Sequence, residues 1–339
     1  MITLSELEKF DTERMFEVYD KWPEIALESY QNCKKTISYE KVSHIVFAGM
    51  GGSGAMSDIF AAILSKTDTH VSIVKGYHIP KTVNVDSIII LTSVSGNTSE
   101  TVSVLKNAIR IGAKIIAFSD GGEIKKICEQ NNITHINTRK YHSPRASFTA
   151  FLYTMLGTLK PILPINELDI LESIKNLEKI REQIYSKNLT KTNQALEISE
   201  WIEKTPVIYY PWGLQSAAIR FKNSLQENCK LHVIAEDVIE ACHNGIVAWE
   251  KSKEFIPILS RGTEDFEKTV KLWEILKKFF KKEDIKFKEI TSVKGNILTK
   301  LICLIYLLDF SSIYLSVKLG IDPSPVKSIE FIKKEINQI

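Results

Sequence analysis

Leu91-Thr92-Ser93-Val94-Ser95-Gly96-Asn97-Thr98-Ser99-Glu100-Thr101 joins two opposite patterns. Residues 87–91, leading into it, read as a buried apolar strand. The segment after it, Val102-Ser103-Val104-Leu105-Lys106-Asn107-Ala108-Ile109, has the apolar spacing of a helix. Six hydroxyl side chains and one glycine therefore fall where a strand gives way to a helix N-terminus. The free N–H groups and positive dipole end of such a terminus hold anions, and Ser and Thr hydroxyls add short neutral donors. Capping alone accounts for one hydroxyl. Six exceed what a cap needs, so the stretch is a candidate phosphate site as well as a cap.

Outward from this turn, strand-like runs recur at residues 43–48, 71–74, 85–91, 114–118 and 134–137, with a helix expected over residues 55–64. Strands alternating with helical segments imply βαβ units and a parallel sheet, whose ligands sit at the carboxyl ends of the strands. Residues 6–38 are polar and periodic and suggest two helices broken near Pro23. Residues 148–160 and 168–201 read as helical, with a break near Asn188. A second alternating region follows: strands at 205–210, 231–235, 255–259 and 285–290, and helices at 215–229, 264–281, 297–318 and 328–338. The expected fold class is α/β, with two lobes that are each a parallel sheet flanked by helices. The N-terminal lobe covers 1–160, a helical linker 161–200 and the C-terminal lobe 201–339.

With 44% apolar and 25% charged residues among 339, the composition excludes a wholly disordered chain. The net charge of +3, with bases interleaved among acids, leaves no footprint for nucleic acid. Lys300 and Asp309 interrupt the apolar run at 297–317, which fits a buried helix better than a membrane span. The first residues lack the pattern of a signal peptide, and five scattered cysteines form no C-x-x-C pair. Reduced thiols in a cytoplasmic protein are expected.

Gly49-Met50-Gly51-Gly52-Ser53-Gly54 satisfies G-x-G-x-x-G between a strand and a helix. A dinucleotide site would also want an acidic residue closing the second strand, and Lys75 stands there. A lysine could instead meet a 2′-phosphate, so an NADP-dependent oxidoreductase remains an alternative. No lysine follows the glycines as a P-loop requires. Taken with Ser93-Val94-Ser95-Gly96-Asn97-Thr98-Ser99-Glu100-Thr101, about forty residues on, the glycine turn resembles the sugar isomerase (SIS) domain. The resemblance implies a phosphosugar whose phosphate rests on Ser93, Ser95 and Thr98. It places the turn Gly51-Gly52-Ser53 against the sugar.

Aldose–ketose isomerisation needs a base that moves a proton between adjacent carbons, a group that opens the ring, and a cation for the enediolate. The second half offers Asn223-Ser224-Leu225-Gln226-Glu227-Asn228 and, sixteen residues after Glu227, His243 in Cys242-His243-Asn244-Gly245. By composition alone Glu227 reads as a solvated helix carboxylate and His243 as a hydrogen-bonded loop residue. The two together resemble the dual-specificity phosphoglucose/phosphomannose isomerases of archaea and some bacteria. That resemblance makes Glu227 the base and His243 the ring-opening residue. It assigns Arg145, in Ser143-Pro144-Arg145-Ala146, to the enediolate, a role suited to a permanently charged planar donor. It puts Lys333, in Ile329-Glu330-Phe331-Ile332-Lys333, at the ring as well.

A homodimer completing the active site between subunits is implied too, with no cofactor and no metal, and with a place in glycolysis or gluconeogenesis. Two departures bear on mannose chemistry. Cys242-His243 stands where the family has a His-His pair, and Val326 where its best-described members have threonine, with Ser324 two residues earlier. The alternative on the same fold is a phosphosugar sensor without turnover.

Overall fold

The computed structural model describes residues 2–33, 35–39, 42–251 and 254–336. Strands β1 (His44–Ala48), β2 (His70–Val74), β3 (Ile88–Thr92), β4 (Lys114–Ser119) and β5 (Thr134–Asn137) form a parallel sheet in the order β2-β1-β3-β4-β5. β1 and β3 are buried along their whole length, as central strands of a sheet covered on both faces must be. Strands β6 (Thr205–Tyr210), β7 (Ile234–Asp237), β8 (Phe255–Arg261) and β9 (Lys288–Thr291) form a second parallel sheet in the order β7-β6-β8-β9. Each sheet begins on an inner strand, lays the next to one side and the third to the other. The resulting switch point beside the first strand is where a crevice opens. The expected pair of alike α/β lobes is what the chain forms.

Several boundaries differ from expectation. β7 and β9 each begin three residues later than their apolar runs suggested. Both are edge strands paired on one side only, so the pattern locates the element without fixing its register. The N-terminal segment forms three helices, Leu4–Phe10, Met15–Asp20 and Trp22–Gln31, rather than two. Pro23 starts the third instead of breaking one, because a first-turn residue has no intrahelical N–H bond to lose. The helix after β1 runs from Gly51 to Leu64, so the glycine turn is itself the helix entry, with Gly51 at φ +54°.

Helix Ile297–Lys318 is long and apolar enough to cross a membrane, yet 89% of its most apolar window is buried inside the protein. It packs against helices Gln215–Cys229, Glu167–Ile184 and Gln194–Trp201 and belongs to the core shared by both lobes. Helix Gln215–Cys229 packs in turn on Gly51–Leu64, which carries the second lobe onto the glycine turn of the first. The last helix, Lys327–Ile336, buries none of its residues. Residues 337 and 338, included in its expected span, lie outside the described residues.

Candidate functional site

Ala48 of β1 pairs with Leu91 of β3, so the glycine and serine turns leave the sheet side by side. They touch: a Cβ on Gly49 would lie 2.9 Å from the Thr92 carbonyl oxygen. In the serine turn, the Ser93 and Thr98 hydroxyls are 2.9 Å apart, the Gly96 N–H donates to Ser93 Oγ (3.1 Å), and the Asn97 N–H donates to Ser95 Oγ (3.2 Å). Thr98 is the N-cap of helix Ser99–Ile111 but makes no side-chain capping bond. Its hydroxyl meets that of Ser93 instead, Ser95 is exposed, and the helix's first-turn N–H groups are the kind of donors that hold an anion. Gly96 cannot be replaced without movement. Its φ is +69°, and a Cβ there would lie 1.9 Å from the Gly121 carbonyl oxygen. The pair Gly121-Gly122, unremarked in the sequence, is the wall this turn leans on, tied to it by Ile124 N–H to Gly96 O (2.9 Å) and Glu123 N–H to Asn97 Oδ1 (2.8 Å).

Beyond the glycine turn lie two arginines. A Cβ on Gly52 would sit 3.1 Å from Arg220 Nη1 and 3.7 Å from the carbonyl oxygen of Pro144, the residue before Arg145. The Arg145 side chain is 5% exposed, its Nη1 3.1 Å from Glu227 Oε2 at the end of helix Gln215–Cys229. Arg145 Nη2 donates to the Ser324 carbonyl (3.0 Å), whereas Nε and Nη1 are buried without a hydrogen-bond acceptor, the carboxylate lying off their bonding directions. Buried guanidinium donors without acceptors are costly, and a ligand oxygen is the natural partner.

Arg220 holds this arrangement from behind. Its Nη2 donates to the Arg145 carbonyl (2.9 Å), and Nε and Nη2 donate to Asp309 Oδ2 (3.0 and 2.6 Å). Burial works most strongly against the Arg220 charge, yet Asp309, Tyr19 and Glu227 together outweigh it and raise the guanidinium's pKa. Asp309 also accepts from Ser224 Oγ (2.7 Å) and the Tyr19 hydroxyl (3.3 Å). Arg220, Ser224 and Glu227 share one face of their helix at spacings of four and three, so the face that anchors also presents the carboxylate.

On the far side of Arg145, the Ser324 hydroxyl lies 3.5 Å from Asp11 Oδ1 and 3.4 Å from His142 Nε2. Burial pushes the Asp11 carboxyl up from its ordinary value and the His142 imidazole down. Ser324 therefore faces Asp11 and His142. Lys75, the residue that kept a 2′-phosphate reading open, donates to both Asp58 carboxylate oxygens (2.8 and 2.7 Å).

The remaining two site residues are elsewhere. His243 sits in an exposed loop after helix Val238–Ala241, and its imidazole has no hydrogen bond among the described residues. Lys333 is exposed on the final helix. One chain brings together the serine turn, the glycine turn, Arg145 and Glu227, and leaves His243 and Lys333 on its surface. Among the described residues, no three His, Cys, Asp or Glu side chains converge as metal ligands would. Sequence reasoning missed Arg220. Its only signal was a position seven residues before Glu227, on the same helical face.

Two β2-β1-β3-type sheets with a hydroxyl-rich turn at the first switch point define a double sugar isomerase domain protein. Residues 38–158 match the SIS domain model, and residues 191–336 match the bacterial phospho-glucose isomerase C-terminal SIS domain. The chain is 30% identical to the bifunctional phosphoglucose/phosphomannose isomerase of Caldicellulosiruptor bescii, over 96% of this chain and 99% of that one. It is 27% identical to the protein of the same name from Aquifex aeolicus, over 87% and 90%. The crystal structure of tagatose-6-phosphate ketose/aldose isomerase from Escherichia coli superposes with a TM-score of 0.73 at 14% identity, covering 93% of this chain and 95% of that one. The chain belongs to the bifunctional phosphoglucose/phosphomannose isomerase family.

Proposed function

We propose that this protein interconverts glucose 6-phosphate and fructose 6-phosphate and accepts mannose 6-phosphate more slowly. The observation that carries this reading is buried Arg145, with acceptor-free N–H donors, beside the Glu227 carboxylate. The phosphate binds at Ser93, Ser95, Thr98 and the helix N-terminus, with Gly51, Gly52 and Ser53 along the sugar. Glu227 takes the proton from C2 of the open-chain aldose. The C–H electron pair forms the C1=C2 bond, and the carbonyl π pair moves to O1, where the Arg145 guanidinium stabilises the charge. Returning the proton to C1, while the O2 proton passes to O1, completes the ketose. His243 and Lys333 assist ring opening.

Because both are exposed on the chain that holds Glu227, we place them at the site of a second subunit in a homodimer. The final helix supports this with Ile329, Phe331 and Ile332 exposed. The lobes divide as 1–160 and 201–339 with 161–200 between them, and the proposed setting is cytoplasmic glycolysis or gluconeogenesis.

Coupled assays with fructose 6-phosphate and mannose 6-phosphate test the activity. The fructose-to-glucose rate should exceed the mannose rate, because Val326 has no hydroxyl and that of Ser324 is turned to Asp11 and His142. Tight phosphosugar binding without turnover would favour a sensor instead.

Two variants probe the parts separately. Gly96→Ala should raise KM for fructose 6-phosphate at least about tenfold and cost about 1–3 kcal/mol of stability, since the turn must leave both its φ and its contact with Gly121. An unchanged KM would move the phosphate elsewhere. Co-refolding equal amounts of Glu227→Gln and His243→Ala should recover about a quarter of wild-type sites, because half the dimers are mixed and each mixed dimer rebuilds one intact site. If the mixture stays as inactive as its components, His243 serves its own chain.

A further inference from the structure

Lys230 ends the helix that bears Glu227, and it does so in the left-handed region, at φ 58° and ψ 30°. L-residues enter that region at a cost that glycine escapes, and glycine or asparagine is the usual choice at a helix C-terminus. The lysine here has a side-chain task. Its Nζ donates to the carbonyl of Glu227 (2.6 Å), the carbonyl of Pro325 (2.8 Å) and, more distantly, the carbonyl of Asp322 (3.4 Å). A cation on the terminal carbonyls suits the negative end of the helix dipole. The other two carbonyls belong to the segment that turns into the final helix.

That segment is a junction. The Ser324 carbonyl accepts from Arg145 Nη2, and Asp322 Oδ2 accepts from Thr12 Oγ1 (2.6 Å). The Val326 carbonyl accepts the first N–H groups of the helix carrying Lys333, from Ile329 (2.9 Å) and Glu330 (3.1 Å). Of these ties, the Lys230 side chain alone runs from the backbone of Glu227 to the junction. The ammonium is held by three backbone carbonyls. Partial burial, and then the Arg145 charge, lower its pKa, although the residue as a whole is exposed.

We infer that Lys230 is a positioning residue, a strap that fixes the distance between the Glu227 helix and the junction holding Arg145 and leading to Lys333. The inference rests on the isomerase reading of that site. Among the described residues, no hydrogen bond of the ammonium reaches the serine turn. The strap should therefore act on the chemical step and leave substrate capture alone, and a displacement of a fraction of an ångström at a base is enough to slow a proton transfer.

Three variants assayed beside the wild type test this. Lys230→Gly removes the strap and also the backbone penalty, so its thermal midpoint should equal or exceed the wild type's while kcat for fructose 6-phosphate falls about tenfold or more and KM stays within about threefold. Lys230→Met should lose kcat to the same extent, and Lys230→Arg, which keeps donors in reach, should recover most of it. A Lys230→Gly protein with wild-type kcat overturns the strap. So does a kcat that falls only in step with the thermal midpoint, or an Lys230→Arg protein no better than Lys230→Met. No turnover by the wild type itself overturns the isomerase reading, and with it any catalytic meaning for the strap. An active wild type with an unimpaired Lys230→Gly variant overturns the strap alone.

Discussion

Glu227→Gln should lower kcat for fructose 6-phosphate by about 10²- to 10⁴-fold, the range over which a positioned base contributes, while KM changes little. The amide has nearly the carboxylate's shape but cannot accept the C–H proton. The proposed phosphate grip is at the other end of the sugar, in a turn whose hydrogen bonds involve no atom of helix Gln215–Cys229. A kcat-only loss is therefore the signature of an interaction made in the transition state. Exchange of substrate hydrogen with solvent deuterium gives an independent readout, because abstraction can be seen even when turnover is slow. The variant should stop the exchange. If exchange continues at the wild-type rate, another group takes the proton, and Glu227 serves only as the counter-charge of Arg145, 3.1 Å away.

How much of this could be read from the chain depends on how local each feature is. The serine turn was legible because its hydroxyls, its glycine and the flanking apolar runs are contiguous, and the strand and helix they imply form as expected at β3 and Ser99–Ile111. β6 and the helices Gln215–Cys229 and Ile297–Lys318 fall on their expected residues, since long periodic runs with sharp ends leave little choice of boundary. Features made by distant segments were not legible. Gly121-Gly122 reads as an ordinary turn until its backbone is seen against Gly96. Asp309 reads as a flaw in an apolar helix and Arg220 as a charge on an amphipathic one, because their meeting spans 89 positions. Residues proposed to serve a second copy of the chain are harder still. Nothing local to His243 or Lys333 sets them apart from solvated side chains, and the resemblance alone singled them out.

Asp309→Ala is expected to destabilise the protein by about 3–5 kcal/mol, the cost of stranding one partner of a buried ion pair. The Arg220 side chain is 2% exposed and Asp309 is fully buried, so solvent cannot take over the lost charge. The alanine also leaves the Ser224 and Tyr19 hydroxyls without their acceptor. Chemical denaturation followed by two probes measures the loss, and two probes are needed because a chain with two sheets need not unfold in one step. The double variant Arg220→Met/Asp309→Leu separates charge from packing. Removing both charges into apolar side chains of similar volume should restore most of the stability, so the two changes should be strongly non-additive. Activity should not return with it. Arg220 Nη2 holds the Arg145 carbonyl, and Arg220 Nη1 lies against Gly52, so a methionine there frees the loop that aims Arg145, the proposed enediolate cation. A stable double variant with low kcat would show that the pair is retained for where it puts Arg145. If Asp309→Ala costs less than about 1 kcal/mol, the value typical of an exposed pair, water reaches Arg220 and the anchor is not the dry one described here.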